Sequence, residues 1–84
     1  MENEVQQRVL RVIGEVLSRK ADEIRLDASI RDDLQLDSLN QMTLFILLED
    51  EFQRSILPEQ VTGLVTVKDI IDFIAGKIQE PSTT

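Results

Sequence analysis

Leu36-Asp37-Ser38-Leu39-Asn40-Gln41-Met42-Thr43-Leu44-Phe45-Ile46-Leu47-Leu48 carries a leucine-rich loop into a helix with more apolar surface than an ordinary solvent-facing helix tolerates. The acidic run Glu49-Asp50-Glu51 closes it. Such a helix touches something on more than one side. Asp37 suits the N-cap, because its side-chain oxygen accepts a backbone N–H that the first turn leaves unpaired. Ser38 then opens the helix, fixed in direction yet exposed. Plotted at about 100° per residue, the segment shows two apolar sides. Leu44, Leu48 and Phe52, with Phe45 beside them, form one stripe; Leu39, Met42 and Ile46 form another that also carries Glu49 and Gln53. One stripe fills a core and the other meets a partner, with plain core packing of Met42 and Ile46 as the alternative. The helix is expected from about Ser38 to Gln53. By itself Asp-Ser-Leu is a weak signal, since an Asp-Ser pair ahead of an apolar run is usually only a cap.

Upstream, Val5, Val9, Val12 and Val16 recur at spacings of four, three and four, and Leu10, Ile13 and Leu17 widen the same face. This predicts an amphipathic helix over about residues 4–18, with Asn3 and Gln6 as a capping box and Arg19 and Lys20 at the negative end of its dipole. From Ala21 to Asp37 the periodicity disappears, while Ile24, Leu26, Ile30, Leu34 and Leu36 recur. A long loop pinned by its own apolar side chains fits, because a structureless loop of this length is unusual in a small domain. Downstream, Pro58 suits the first position of a short helix of about six residues, with Glu59 in its first turn and Gly63 near its end. Thr66 and Asp69 form a second capping-box pair, after which Val67, Ile70, Ile71, Ile74 and Ile78 trace a last helix to about Gln79. The expected fold is all-α: a small four-helix bundle with three long helices, one short helix and a long loop between the first two. One domain over residues 1–80 and a disordered tail over 81–84 complete the reading.

With 84 residues and 42% hydrophobic content, the chain has room for one modest core. It contains no cysteine and no histidine, so disulfides are excluded, a structural zinc site is excluded on chemistry, and carboxylates are left as the only plausible metal ligands. Glu49, Asp50 and Glu51 diverge around a helix, so they read as a solvated face rather than a metal site. The acidic N-terminus lacks the features of a secretion signal and no stretch is long enough to span a bilayer, which makes the cytoplasm the default compartment. A formal net charge of −7 opposes binding to nucleic acid and to anionic membranes and favours basic protein partners.

The ordered set Ile24, Ala28-Ser29-Ile30, Asp33-Leu34, Asp37-Ser38-Leu39, Leu44, Leu48-Glu49-Asp50-Glu51-Phe52, Ile56, Thr66-Val67 and Ile70-Ile71-Asp72-Phe73-Ile74 resembles the acyl carrier proteins over nearly the whole length. The resemblance implies a carrier and not an enzyme. It implies that Ser38, preceded by Asp37, receives 4′-phosphopantetheine from coenzyme A through a separate phosphopantetheinyl transferase that normally requires magnesium. A carrier of this kind takes its reactive thiol from the prosthetic group, so it requires neither cysteine nor a general base. No triad surrounds Ser38 to make it a catalytic nucleophile. The helix face of Leu39, Met42, Ile46, Glu49 and Asp50 is then the expected docking surface for the transferase and for acyl-loading and acyl-transferring enzymes with basic surfaces. The chain is expected to be a monomer. The apolar interior would shelter an aliphatic chain, with Met42, Ile46 and Ile70 as adaptable lining and core packing as the simpler role for Ile70.

Two departures from the family's pattern point to a specialised pathway rather than central fatty acid synthesis. The small Gly-Ala-like pair usual before Asp-Ser-Leu is Gln35-Leu36 here, and the acids usual two and five residues after the serine are Asn40 and Thr43. Aminoacyl and peptidyl carriers, the D-alanyl type among them, are the nearest alternatives. A noncovalent helical adaptor, with Ser38 as a mere cap, is the alternative of another class.

Overall fold

The computed structural model describes residues 2–79, and the side chains of residues 4–78; the tail expected at 81–84 lies outside the described residues. Four α-helices follow in order: α1 (Glu2–Leu17), α2 (Ser38–Phe52), the short α3 (Pro58–Val61) and α4 (Val67–Gln79), with a 3₁₀ turn at Ala21–Glu23. Among the described residues there is no strand, only an isolated antiparallel bridge between Ser29 and Thr66. The architecture is a small helical bundle in which α1 packs on α2, on α4 and on the 3₁₀ turn. No helix of the described residues is long and apolar enough to cross a membrane.

The three long helices and the connections between them build one core. Val9, Val12 and Ile13 come from α1, Leu44, Leu48 and Phe52 from α2, Ile56 from the connection after it, and Val67, Ile70, Ile71 and Ile74 from α4. The expected pinning of the long loop is present: Ile24, Ala28, Ile30, Leu34 and Leu36 are all buried, while Leu26 stays on the surface. Among the described residues no polar or charged residue is buried with them, so apolar burial and shape dominate the interior.

The loop also supplies the hydrogen bonds that α4 needs at its start. The first amides of a helix have no partner within it. Here Val67 N–H donates to the Ala28 carbonyl at 3.0 Å and Lys68 N–H to the Leu26 carbonyl at 2.9 Å. Asp69 N–H donates to Thr66 Oγ1 at 3.2 Å, and Asp69 Oδ2 accepts from Val65 and Thr66 N–H at 3.0 and 3.1 Å. Those two backbone donors hold the Asp69 carboxyl below the usual carboxylate range. The Thr66–Asp69 capping box is therefore as expected, with a loop strand-pairing that no local pattern announces.

At the other end of the chain the expectation needs correction. α1 already contains Asn3, so Asn3 is not its N-cap and the Asn3–Gln6 box does not open it. The helix ends as a left-handed closure: Ser18 has φ 58° and Arg19 N–H donates to the Gly14 carbonyl at 2.9 Å. The returning chain passes so near Gly14 that an added Cβ would lie 2.5 Å from the Arg19 carbonyl oxygen, which is why this helical position lacks a side chain. α2 closes in the same way, with Gln53 at φ 54° and Arg54 N–H on the Glu49 carbonyl at 3.3 Å. α3 is shorter than expected, four residues with Pro58 at its start.

A third left-handed residue, Gln35 at φ 57°, stands just before the Asp-Ser pair and is exposed. A side-chain-bearing residue in this conformation costs about 1–2 kcal/mol, against which glycine loses about 0.5–1 kcal/mol of chain entropy. Gln35→Gly is expected to stabilise the fold by roughly 0.5–1 kcal/mol, read as a raised urea midpoint. An unchanged or lowered midpoint would mean the turn carries no strain.

Candidate functional site

Ser38 is the first residue of α2, and its position follows from the residues on either side. Leu36, 1% exposed, anchors the incoming loop in the core, and Leu36 N–H donates to the Ile30 carbonyl at 3.1 Å. Asp37 is extended, and its Oδ1 accepts from Asn40 N–H at 2.8 Å, the cap expected of it. Gln41 reaches back to donate from Nε2 to the Leu36 carbonyl at 2.8 Å. Loop and helix are thus tied together on both sides of Ser38, which is itself exposed. Among the described residues its hydroxyl engages no hydrogen bond.

The two stripes of α2 separate as expected. Leu44 and Leu48 are 0% exposed, whereas Leu39, Met42 and Ile46 are 70%, 61% and 59% exposed. Phe45, expected beside the buried stripe, is half-buried. Ile70 is a core residue. A cavity of about 230 Å³ opens beside Ser38 between α2 and α3, with Met42, Phe45 and Ile46 along one wall and Ile56, Pro58 and Val61 along the other. Its lining is mostly apolar, and its mouth adjoins the exposed stripe.

The three acids at the far end of α2 have different fates. Glu49 turns toward the following loop, where its Oε2 accepts from Ile56 N–H at 2.7 Å. Glu51 faces α1: its Oε2 accepts from Arg8 Nε at 2.7 Å and from Arg11 Nη2 at 2.9 Å, and its carbonyl accepts from Arg8 Nη2 at 2.8 Å. The Arg8 guanidinium also lies 4.4 Å over the Phe52 ring. Its bond, reinforced by Arg11, holds the Glu51 carboxyl below the usual carboxylate range. Asp50 is exposed. Sequence reasoning missed the Glu51 pairing because Arg8 and Glu51 are 43 residues apart.

A family profile described as a phosphopantetheine attachment site matches residues 7–74. The chain belongs to the acyl carrier protein family. It is similar to an acyl carrier protein from Beutenbergia cavernae, 37% identical over 75 residues that cover 89% of this chain and 92% of the relative. As a member of that family it is a carrier and not an enzyme, and its cofactor is covalently attached 4′-phosphopantetheine.

The carrier's residues fit that group. An unengaged hydroxyl at a helix start accepts a bulky substituent without loss of a cap, because Asp37 and not Ser38 does the capping. The adjoining apolar cavity suits an aliphatic chain. When attached, the group supplies a thiol on a flexible arm, which a chain without cysteine otherwise lacks. On the exposed side of α2 apolar surface outweighs free charge: Asn40 and Thr43 are neutral, and Glu49 and Glu51 are bonded internally.

Proposed function

We propose that Ser38, with Asp37 capping the helix behind it, carries the phosphopantetheine arm, and that the arm holds acyl groups as thioesters for partner enzymes in the cytoplasm. The observation that carries this reading is the exposed, unbonded Ser38 hydroxyl at the start of α2 on the rim of an apolar cavity. The cavity favours aliphatic cargo over aminoacyl or peptidyl cargo, because Met42, Phe45, Ile46, Ile56, Pro58 and Val61 give it a mostly apolar lining, with Gln41 and Glu49 as the polar side chains beside Ser38. At about 230 Å³ it is smaller than the roughly 300–1,000 Å³ of sites that enclose drug-sized ligands. A short acyl chain fits it as it stands; a long one has to widen it. The mass of the protein taken from its own cells with cargo attached tests this directly. An aliphatic acyl increment on the arm supports the reading, and an aminoacyl increment overturns it.

The docking surface of the proposed monomer is the face of Leu39, Met42 and Ile46 with Asp50 at its end. Glu49 contributes here chiefly by holding the loop at Ile56. An apolar centre with little free charge calls for a partner with a matching apolar patch and a modest basic rim. This fits a dedicated set of enzymes rather than the general partners of a strongly acidic carrier. Met42→Ala is expected to weaken binding to the loading transferase about 10-fold with helicity unchanged. Asn40→Asp with Thr43→Glu should steepen the salt dependence of association, since screening acts on the charges added. Tight binding by Met42→Ala, with the native complex already steeply salt-dependent, would mean that charge and not apolar contact dominates.

A further inference from the structure

A second, shallower concavity meets the apolar cavity at Ser38 and shares no other lining residue with it. It is lined by Arg31, Gln35, Leu36, Asp37 and Ser38. Arg31 also borders a polar cleft with Ser29, Asp32, Gln41 and Thr62, so it stands where the long loop meets the start of α2. The side chain is exposed, and among the described residues no hydrogen bond or ion pair engages its guanidinium. Most other arginines are committed. Arg8 and Arg11 hold Glu51, Arg25 pairs with Asp27, and Arg54 donates to the carbonyls of Gln53 and Lys77. Arg19 lines a different cavity with Glu23, Arg25 and Asp27.

Attachment of the arm exchanges the neutral Ser38 hydroxyl for a phosphodiester that keeps one negative charge. That charge arrives beside the Asp37 carboxylate in a chain of net charge −7. At the start of α2 Asp37 already occupies the Asn40 N–H, so the backbone meets that charge with the remaining first-turn amides and the helix dipole, which carry only partial charge. Arg31 is the only cationic side chain in the concavity, and a guanidinium presents paired donors that match two phosphate oxygens.

We propose that Arg31 is a positioning residue for the prosthetic group, pairing with the phosphodiester on Ser38 and offsetting the charge of Asp37. The inference rests on Ser38 being the attachment point. With the phosphate held on the loop side, the root of the arm is fixed while the apolar cavity on the α3 side stays open to cargo.

The test compares apo and loaded forms of the wild type, Arg31→Ala and Arg31→Lys by ³¹P spectra and arginine Nε–Hε spectra, with each loading verified by intact mass. On loading of the wild type, the Arg31 Nε–Hε signal should shift while that of Arg25 stays in place. The ³¹P resonance of loaded Arg31→Ala should differ from that of the wild type by more than the line width, with Arg31→Lys between them. The difference should shrink several-fold on going to about 1 M salt, where charges are screened within about 3 Å. Coincident ³¹P resonances in the three loaded proteins, with an unmoved Arg31 signal, overturn the pairing and leave the carrier reading standing. A wild type that gains no mass overturns both.

Discussion

Leu48→Ala is expected to cost the fold about 3–5 kcal/mol, while Ile46→Ala, two residues earlier on the same helix, costs less than about 0.5 kcal/mol. Leu48 is fully buried and Ile46 is 59% exposed, so the first change empties a packed site and the second removes surface that nothing covers. For a chain of 84 residues total stability is on the order of 4–13 kcal/mol. Loss of Leu48 therefore takes much or all of it, with no buried polar network among the described residues to compensate. Urea unfolding followed by helical circular dichroism reads both values. Similar costs for the two variants would mean that both apolar sides of α2 are core and that the exposed stripe is not a docking face.

That division of α2 was legible because it depends on local periodicity. Asp37 as a cap, the Thr66–Asp69 box, Pro58 at the start of a helix, and burial of Ile24, Ile30, Leu34 and Leu36 all rest on residues near one another in the chain, where capping and turn rules operate. What escaped the sequence depends on distance. The Arg8 and Arg11 grip on Glu51 joins α1 to the end of α2, and the bridge between Ser29 and Thr66 joins the long loop to the start of α4. No spacing rule announces either. The bond from Ile56 N–H to Glu49, which the sequence places on the docking rim, likewise follows no spacing rule. The left-handed closures at Ser18 and Gln53 carry no glycine, so the usual stop signal was absent. Asn3 misled for a related reason: a good capping residue was read as the start of a helix that already includes it.

Ser38→Ala is expected to abolish loading completely and to leave stability within about 0.5 kcal/mol of the wild type. The hydroxyl bonds to nothing among the described residues, and the cap belongs to Asp37, so alanine at the first helical position loses no structural contact. The other described serines are poor substitutes. Ser18 sits at the left-handed closure of α1, and Ser29 Oγ is held in the loop, accepting from Asp32 N–H at 3.1 Å. Ser55 lies between α2 and α3 and borders only a shallow groove at the far end of α2. None opens a helix beside the apolar cavity.

The intact mass of the wild type and of Ser38→Ala, after incubation with coenzyme A, magnesium and a broad-specificity phosphopantetheinyl transferase, tests the account at its centre. The wild type should gain the mass of one phosphopantetheine and Ser38→Ala should gain none, with both giving the same helical spectrum. A wild type that stays unmodified, as a noncovalent adaptor would, or a Ser38→Ala protein that still takes up the group, would contradict it.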